Sequence, residues 1–598
     1  MPYVPPRNPA VRIKEYTRLL PYLAFPLLVV AAWILFYIYN STVLLQGRPS
    51  VTGTAPGNNA SSVFRNTAVS VDVSLPTEGA GVEGESLTPD HVRLLRTDDG
   101  ALVPGVLNTS GGGDAIVFQP SVLLDASTSY SFKITAGVKD ESGKAFAPFE
   151  MAFKTGDASS ISPTPGVSFI ARQVYSGAAL TSLVIGPDGK LYAAGLDGNL
   201  RRWVIDSAGT LSNMETFTGL AGRIVVGLLF DVTDPRVLWV SHNDAVLPEP
   251  SNRAPKPGDK TPKPSDDFTG KVSKLTLSGA PGFGAVAEDY IVGLPRSTKD
   301  HLTNSLAFGP DGLLYLSQGS NSAMGAIDPV WYNRPERLLN ATVLQIDPSR
   351  TPPAGGFNVQ TEDYKNRTGD YDPFALDAPV KIYATGIRNA YDLLWHSNGQ
   401  LYAPANGSAA GGNTPASPPG VTPSVPAVKN GPTQDDYLFK IVRGGYYGHP
   451  NPLRGQYVMN GGNPTKMADP AELVTRDRNS GYPEGVKPDA NYKGFIWNFG
   501  RNRSPNGVIE YQSDTFAGAL KHKLLVVEYS AGDDILALSL DERGNVAQVT
   551  QVIAGLSDPL DLVEDPRNGN LYVVELLDRG AAGRLSLLSP ALEQAVRR

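Results

Sequence analysis

The sequence predicts an all-β protein: a six-bladed β-propeller preceded by a β-sandwich and, ahead of both, one N-terminal transmembrane helix. Three observations carry this reading. Glycine (62) and proline (50) are abundant for a helical chain, and aromatic and β-branched residues come in short runs between turns. A strand–turn–strand unit recurs from Leu183 almost to the end. One uncharged apolar run lies near the start, between Arg18 and Arg48.

Within that run Leu19 to Tyr39 is almost wholly apolar, about the length needed to cross a ~30 Å hydrocarbon core. Arg7, Arg12, Lys14 and Arg18 precede it, whereas Arg48 is the first charged residue after it. The positive-inside rule then places residues 1–18 in the cytoplasm, the span at 19–40 and everything later outside. A cleaved signal peptide is the alternative, but the run is long and ends in Tyr37-Ile38-Tyr39-Asn40 without a small-x-small site. The expectation is a single-pass protein of the cell membrane with its bulk periplasmic or extracellular.

Residues 41–55 are expected to be a linker, polar and rich in Gly, Pro and Ser. Period-two alternation follows over 56–157: Val69, Val71 and Val73 share one face, as do Tyr130, Phe132 and Ile134, then Phe149, Met151 and Phe153. Turns at Asp98-Asp99-Gly100 and Asp140–Gly143 separate such runs, the pattern of a sandwich.

The propeller is expected over 166–590. Its units are LVIGPDGKLYAAG at Leu183, LLFDVTDPRVLWVSH at Leu228, LAFGPDGLLYLSQG at Leu306, LLWHSNGQLYAPANG at Leu393 and LVEDPRNGNLYVVEL at Leu562. A further hairpin, KLLVVEYSAGDDILALSL, starts at Lys523. Each has a tight turn between two apolar strands, as one blade requires. Inserts at 246–270 and 406–432 are Pro-rich or low in complexity and read as solvated loops. A third, 451–492, runs into Tyr492, Phe495, Trp497 and Phe499 and is expected to fold over one end of the ring.

Composition narrows the chemistry. With 52 basic against 59 acidic residues, a net charge of -7 and no basic block, nothing points to nucleic acid. The absence of cysteine excludes disulfides, thiolate metal sites, iron–sulfur clusters and covalently attached haem. A propeller gathers blade-end loops around one channel, so polar residues at those ends can converge. Three groups stand there: Asp300-His301 before the third blade, Gln318-Gly319 within it, and Arg388-Asn389 before the fourth. A histidine base, an orienting carboxylate and an arginine form a workable proton-abstraction site.

The segments LPRSTKDHLTNSLAFGPDGLLYLSQGS, YATGIRNAYDLLW and GPTQDDYLFKIVRGGYYGHPNP resemble the glucose/sorbosone dehydrogenase family, soluble quinoprotein sugar dehydrogenases on a six-bladed propeller. IVFQPSVLLDASTSYSFKITAGVKDESGKAF and FEMAFKTG are similar to bacterial Ig-like domains, which implies a spacer or adhesion module at 56–157. The first resemblance implies oxidation of a sugar or other small polyol at the anomeric carbon, with hydride passing to pyrroloquinoline quinone (PQQ) held by Ca2+, and then to an unidentified electron acceptor. It implies that His301 is the base, that Asp300 orients it, that Arg388 completes the catalytic set, and that Gln318, Arg388 and Asn389 contact the cofactor. Asp435 and Asp436, with Gly407, match the calcium segment. Gly222-Arg223 and Glu528, Asp533 and Asp534 depart from the family pattern, which has cofactor-binding polar and basic residues there; Arg501 and Arg503 are the basic residues expected to substitute. The alternative is a non-catalytic propeller that binds a glycan or a protein partner.

Overall fold

The computed structural model describes residues 47–591 apart from 78–79, 111–112, 159–160, 246–265, 279–281, 362–370, 409–411, 423, 432, 460–485, 487–488 and 578–579. The expected membrane span and most of the 246–270 and 451–492 inserts lie outside the described residues. Among the described residues no helix is long and apolar enough to cross a membrane. All the strands described below fall within one compact unit, 49–598.

Eight strands build the sandwich. One sheet orders Ser50–Ala55, Val69–Ser74, Ala115–Pro120 and Gly105–Thr109; the other orders Ala60–Val63, Phe149–Thr155, Ser129–Ile134 and Val92–Arg96. Alternation turns Val69, Val71 and Val73 toward Tyr130, Phe132, Ile134, Met151 and Phe153 in one core. The strand Ser50–Ala55 corrects the expected linker at 41–55. Its Gly53 looked like linker composition, but a Cβ there would lie 2.6 Å from Asp72 Oδ2, so the glycine permits close strand pairing.

Six sheets follow, antiparallel except for one short parallel pair at the edge of the second. The first holds Leu180–Ile185, Leu191–Gly195, Leu200–Ile205 and Leu211–Phe217; the second, Arg223–Phe230, Val237–Asp244, Gly270–Leu277 and Ala285–Leu294, with Phe357–Asn358 added at its edge. The third holds Thr303–Phe308, Leu314–Gln318, Thr342–Ile346 and Val380–Thr385; the fourth, Leu394–Trp395, Leu401–Ala405, Asp436–Ile441 and Trp497–Gly500. The fifth holds Pro505–Glu510, Leu524–Glu528, Asp534–Leu540 and Val546–Ala554. In the sixth, Pro559–Asp565, Asn570–Leu577 and Ala582–Pro590 are completed by Phe169–Gly177 from far upstream.

First strands of successive sheets touch one another, and that of the sixth touches that of the first. Polar side chains stitch the same junctions. Thr181 Oγ1 donates to Val225 O, Asn304 Nδ2 to Ala390 O, and carboxylates of Asp392 and Asp561 accept from Val508 N and Leu183 N. Five of the six sequence units are first-and-second strand hairpins, whereas the Lys523 hairpin is the second and third strands of its sheet. Trp497 and Phe499 lie in the last strand of the fourth sheet, and Phe495 stacks on Tyr437 at 4.4 Å. That part of the aromatic run is sheet packing, while most of the 451–492 insert expected to fold over the ring lies outside the described residues.

Candidate functional site

The loop before the third sheet is tied down from inside. Arg296, fully buried, donates to the carbonyls of Ser297, Asp244 and Lys299, while Ser297 Oγ accepts from the backbone of Lys299 and His301. Gln318 at the end of the neighbouring strand donates to Pro295 O and Leu302 O and accepts from Thr303. Its amide is thus spent on the loop, a correction to the expected cofactor contact.

His301 is 3% exposed. Its Nδ1 lies 2.9 Å from Ser320 Oγ and 3.2 Å from Ser320 O, and Ser320 Oγ donates to Ser322 O at 2.9 Å. The hydroxyl has one proton and has placed it, so Nδ1 must be the donor and Nε2 keeps a lone pair. Burial, then the nearby Arg388 cation, hold this imidazole well below its usual range, hence neutral. The ring packs 4.4 Å from Trp331, over which Arg388 also lies at 5.6 Å. Gly319 allows this approach: a Cβ there would meet His301 Cβ at 2.8 Å.

Asp300 does not orient His301. Its Oδ1 has no hydrogen-bond partner, and burial raises its carboxyl above the usual range. The orienting role passes to Ser320, which holds Nδ1.

Arg388 donates from Nε to Ala323 O at 2.9 Å and from one terminal nitrogen to Gly407 O at 2.7 Å. Asn389 belongs to an amide chain: Asn304 donates to it, it donates to Asn406, and Asn406 donates to Ser504. Asp436 accepts from Gly407 N and Ser504 N at 2.7 Å each, and burial pushes its carboxyl up to about 7. Asp435 turns to Asn498 instead. Gly407 and Asp436 thus meet at one wall while the Asp435 carboxylate is taken by Asn498, and among the described residues no cluster of three or more His, Cys, Asp or Glu side chains is gathered.

Arg501 and Arg503 are also otherwise engaged. Arg503 makes a two-pronged pair with Glu528, at 3.1 and 2.6 Å, and Arg501 pairs with Asp72 of the sandwich at 3.2 Å. Arg223 pairs with Asp244 beside His242 and Ser273, a structural cluster.

Asp300, His301, Trp331, Arg388, Asn406, Gly407 and Asp436 line a cavity of about 50 Å³. Its wall includes Ser110 and Asp114 from the sandwich. Sequence reasoning missed Trp331, Ser320, Asn304, Asn406 and this sandwich contribution. Trp331 had the one available signal, an aromatic after Asp328-Pro329, where Asp328 accepts from Trp331 N and caps a short 3-10 turn. A second buried pair was also missed: His449 Nε2 lies 2.9 Å from Glu336, whose carboxylate holds the 321–322 backbone beside Ser320.

A family model described as a bacterial Ig-like domain matches residues 46–155. No curated protein matches the chain. Solved structures similar to it include the holo form of the pyranose dehydrogenase PQQ domain from Coprinopsis cinerea, at 12% identity and TM-score 0.45, covering 72% of this chain and 98% of that one. Another is the PQQ-bound aldose sugar dehydrogenase from Streptomyces coelicolor, at 14% identity and TM-score 0.41, covering 71% and 99%. A third is the calcium structure of a Trichoderma reesei carbohydrate-active enzyme of family AA12, at 15% identity and TM-score 0.45, covering 72% and 97%.

Proposed function

We propose that the chain is a membrane-anchored, outward-facing six-bladed propeller whose His301 site supplies the proton-removing half of a sugar or polyol dehydrogenation. One observation carries the chemistry: a neutral imidazole, fixed through Nδ1 and keeping its Nε2 lone pair, forms part of a cavity wall next to an arginine. Nε2 takes the proton of a hydroxyl, and Arg388 and Asn406 hold the oxygen that it leaves. The hydride half needs a separate two-electron acceptor. The cyclic order of the six sheets supports the propeller, and the charge pattern around residues 19–40 supports the anchor at the cell membrane.

PQQ does not fit the wall in this arrangement, although carboxylates such as those of Asp114, Asp300 and Asp436 are the oxygen donors that Ca2+ takes. A tricarboxylate needs cations, yet three carboxylates, Asp114, Asp300 and Asp436, face one guanidinium, and Arg501 and Arg503 are spent on Asp72 and Glu528. The volume, about 50 Å³, is also far below the ~300 Å³ at the lower end of small-molecule pockets. The test uses the full chain in detergent, with and without PQQ and CaCl2, and reads dye reduction over a panel of aldoses and polyols. Turnover that falls ~100-fold or more in His301→Gln is expected for a general base; no turnover over the panel under either condition sinks the reading.

The acidic, covered mouth favours a second reading, a propeller that binds a glycan or protein without catalysis. It expects glycan-array or partner binding that His301→Gln leaves unchanged.

A further inference from the structure

We propose that the Ig-like unit is a cover carried by the chain itself, seated on the His301 cavity, and that it must lift before any solute larger than a few waters reaches Nε2. The inference takes the His301 cavity as the site, as above, and adds what controls access to it.

Geometry places the cover there. The hairpin of Gly105–Thr109 and Ala115–Pro120 delivers Ser110 and Asp114 into the wall that otherwise consists of residues from the six-sheet body. Asp114 is 3% exposed, and its carboxylate is braced by Ser110 Oγ at 2.6 Å. It presents a fixed negative group where Arg388 would otherwise meet an incoming anion or hydroxyl; burial lowers the Arg388 pKa, and the field of Asp114 opposes that loss of charge. The cover and an anionic or hydroxyl-rich ligand therefore compete for one cation.

The seat is polar. Asp72 pairs with Arg501, Ser70 with Asn502, and Asn108 with Asp558, while the apolar part is the small cluster of Ala68, Val117 and Ala531. Interfaces of this kind within a chain resemble transient ones, for which relative motion is the default. The chain also stays attached when the cover lifts. Beyond the last sandwich strand, Thr164 N donates to Gln551 O at 2.7 Å and Thr164 Oγ1 donates to Thr550 Oγ1 at 2.8 Å, which pins the connection to the outer strand of the fifth sheet. The cavity left beneath, about 50 Å³, has room for a few waters and excludes a sugar ring.

The chain has no cysteine, so a two-cysteine variant can be bridged without side reactions. Ser70→Cys/Asn502→Cys is joined with a short bis-methanethiosulfonate reagent, and a matched sample is released with dithiothreitol and alkylated. Diethyl pyrocarbonate then modifies accessible neutral histidines, and peptide mass spectrometry follows His301, with the half-exposed His522 as reference. We expect His301 to react at least tenfold more slowly in the bridged protein than in the released one. The uncrosslinked Arg501→Ala/Asn108→Ala variant, which lacks two of the seat's bonds, should react at least threefold faster than the unmodified chain. Equal His301 rates in bridged and released protein, or no acceleration in the second variant, would overturn the proposal. Carbethoxylation needs no turnover, so this outcome and that of the dehydrogenase assay can fail separately.

Discussion

His301 illustrates how a single hydroxyl proton decides a residue's chemistry. Because Ser320 has given its proton to Ser322 O, the imidazole must donate through Nδ1, and the free lone pair falls on Nε2. Nitrogen-15 spectra of histidine-labelled protein should therefore show His301 as one neutral Nδ1–H tautomer at pH 7, titrating at lower pH than an ordinary imidazole. Stability follows with a definite sign. Burial and Arg388 hold the folded value below the unfolded one of about 6.5, so the histidine's contribution is whole above that pH and is lost as the pH falls. Denaturant unfolding of His301→Gln should therefore show a shallower decline in stability as the pH falls below 6.5. The Asp300-His301 dipeptide was legible as a site marker, but the partner of the imidazole was not. Ser320 is 19 residues further on, on the other side of a strand pair, and nothing in an isolated serine announces a hydrogen bond.

At the scale of the element, the repeated hairpins are legible because the repeat has a mechanism. In GPDGKLY and GPDGLLY the tyrosine hydroxyl donates back to the turn aspartate four residues earlier, Tyr192 to Asp188 at 3.0 Å and Tyr315 to Asp311 at 2.8 Å. In HSNGQLY, Asn398 donates to Tyr402 instead. Turn and strand thus specify each other, and sequence periodicity carries the hairpin's position. Tyr315→Phe should cost about 1 kcal/mol in thermal or denaturant unfolding, and Asp311→Ala a similar amount. In a double-mutant cycle the two should be clearly less than additive, since each removes the same bond. The strand Ser50–Ala55 had no comparable signal: with Gly53 at its bulge it is indistinguishable by composition from a tether, and only its fit against Val71 and Val73 reveals it.

For the whole molecule, long-range stitches matter most and were least visible. Asp392 and Asp561 resemble any surface aspartate in the sequence, yet each accepts a backbone N–H from the next sheet around the ring. Asp392→Ala leaves the Val508 N–H unsatisfied and should lower stability by about 1–3 kcal/mol in a calorimetric or denaturant measurement. The placement of the Ig-like unit was equally hidden, because a polar seat such as Asp72 with Arg501 has no sequence periodicity to betray it. Phe169–Gly177 in the sixth sheet has one more consequence. That strand is synthesised before any of the six sheets, but its partner Ala582–Pro590 emerges about 400 residues later. Folding during translation can therefore complete five sheets and never the sixth. A chain truncated before Ala582 would be left with two open strand edges, one at each end of the same gap, and such edges are what other copies of a nascent chain aggregate through.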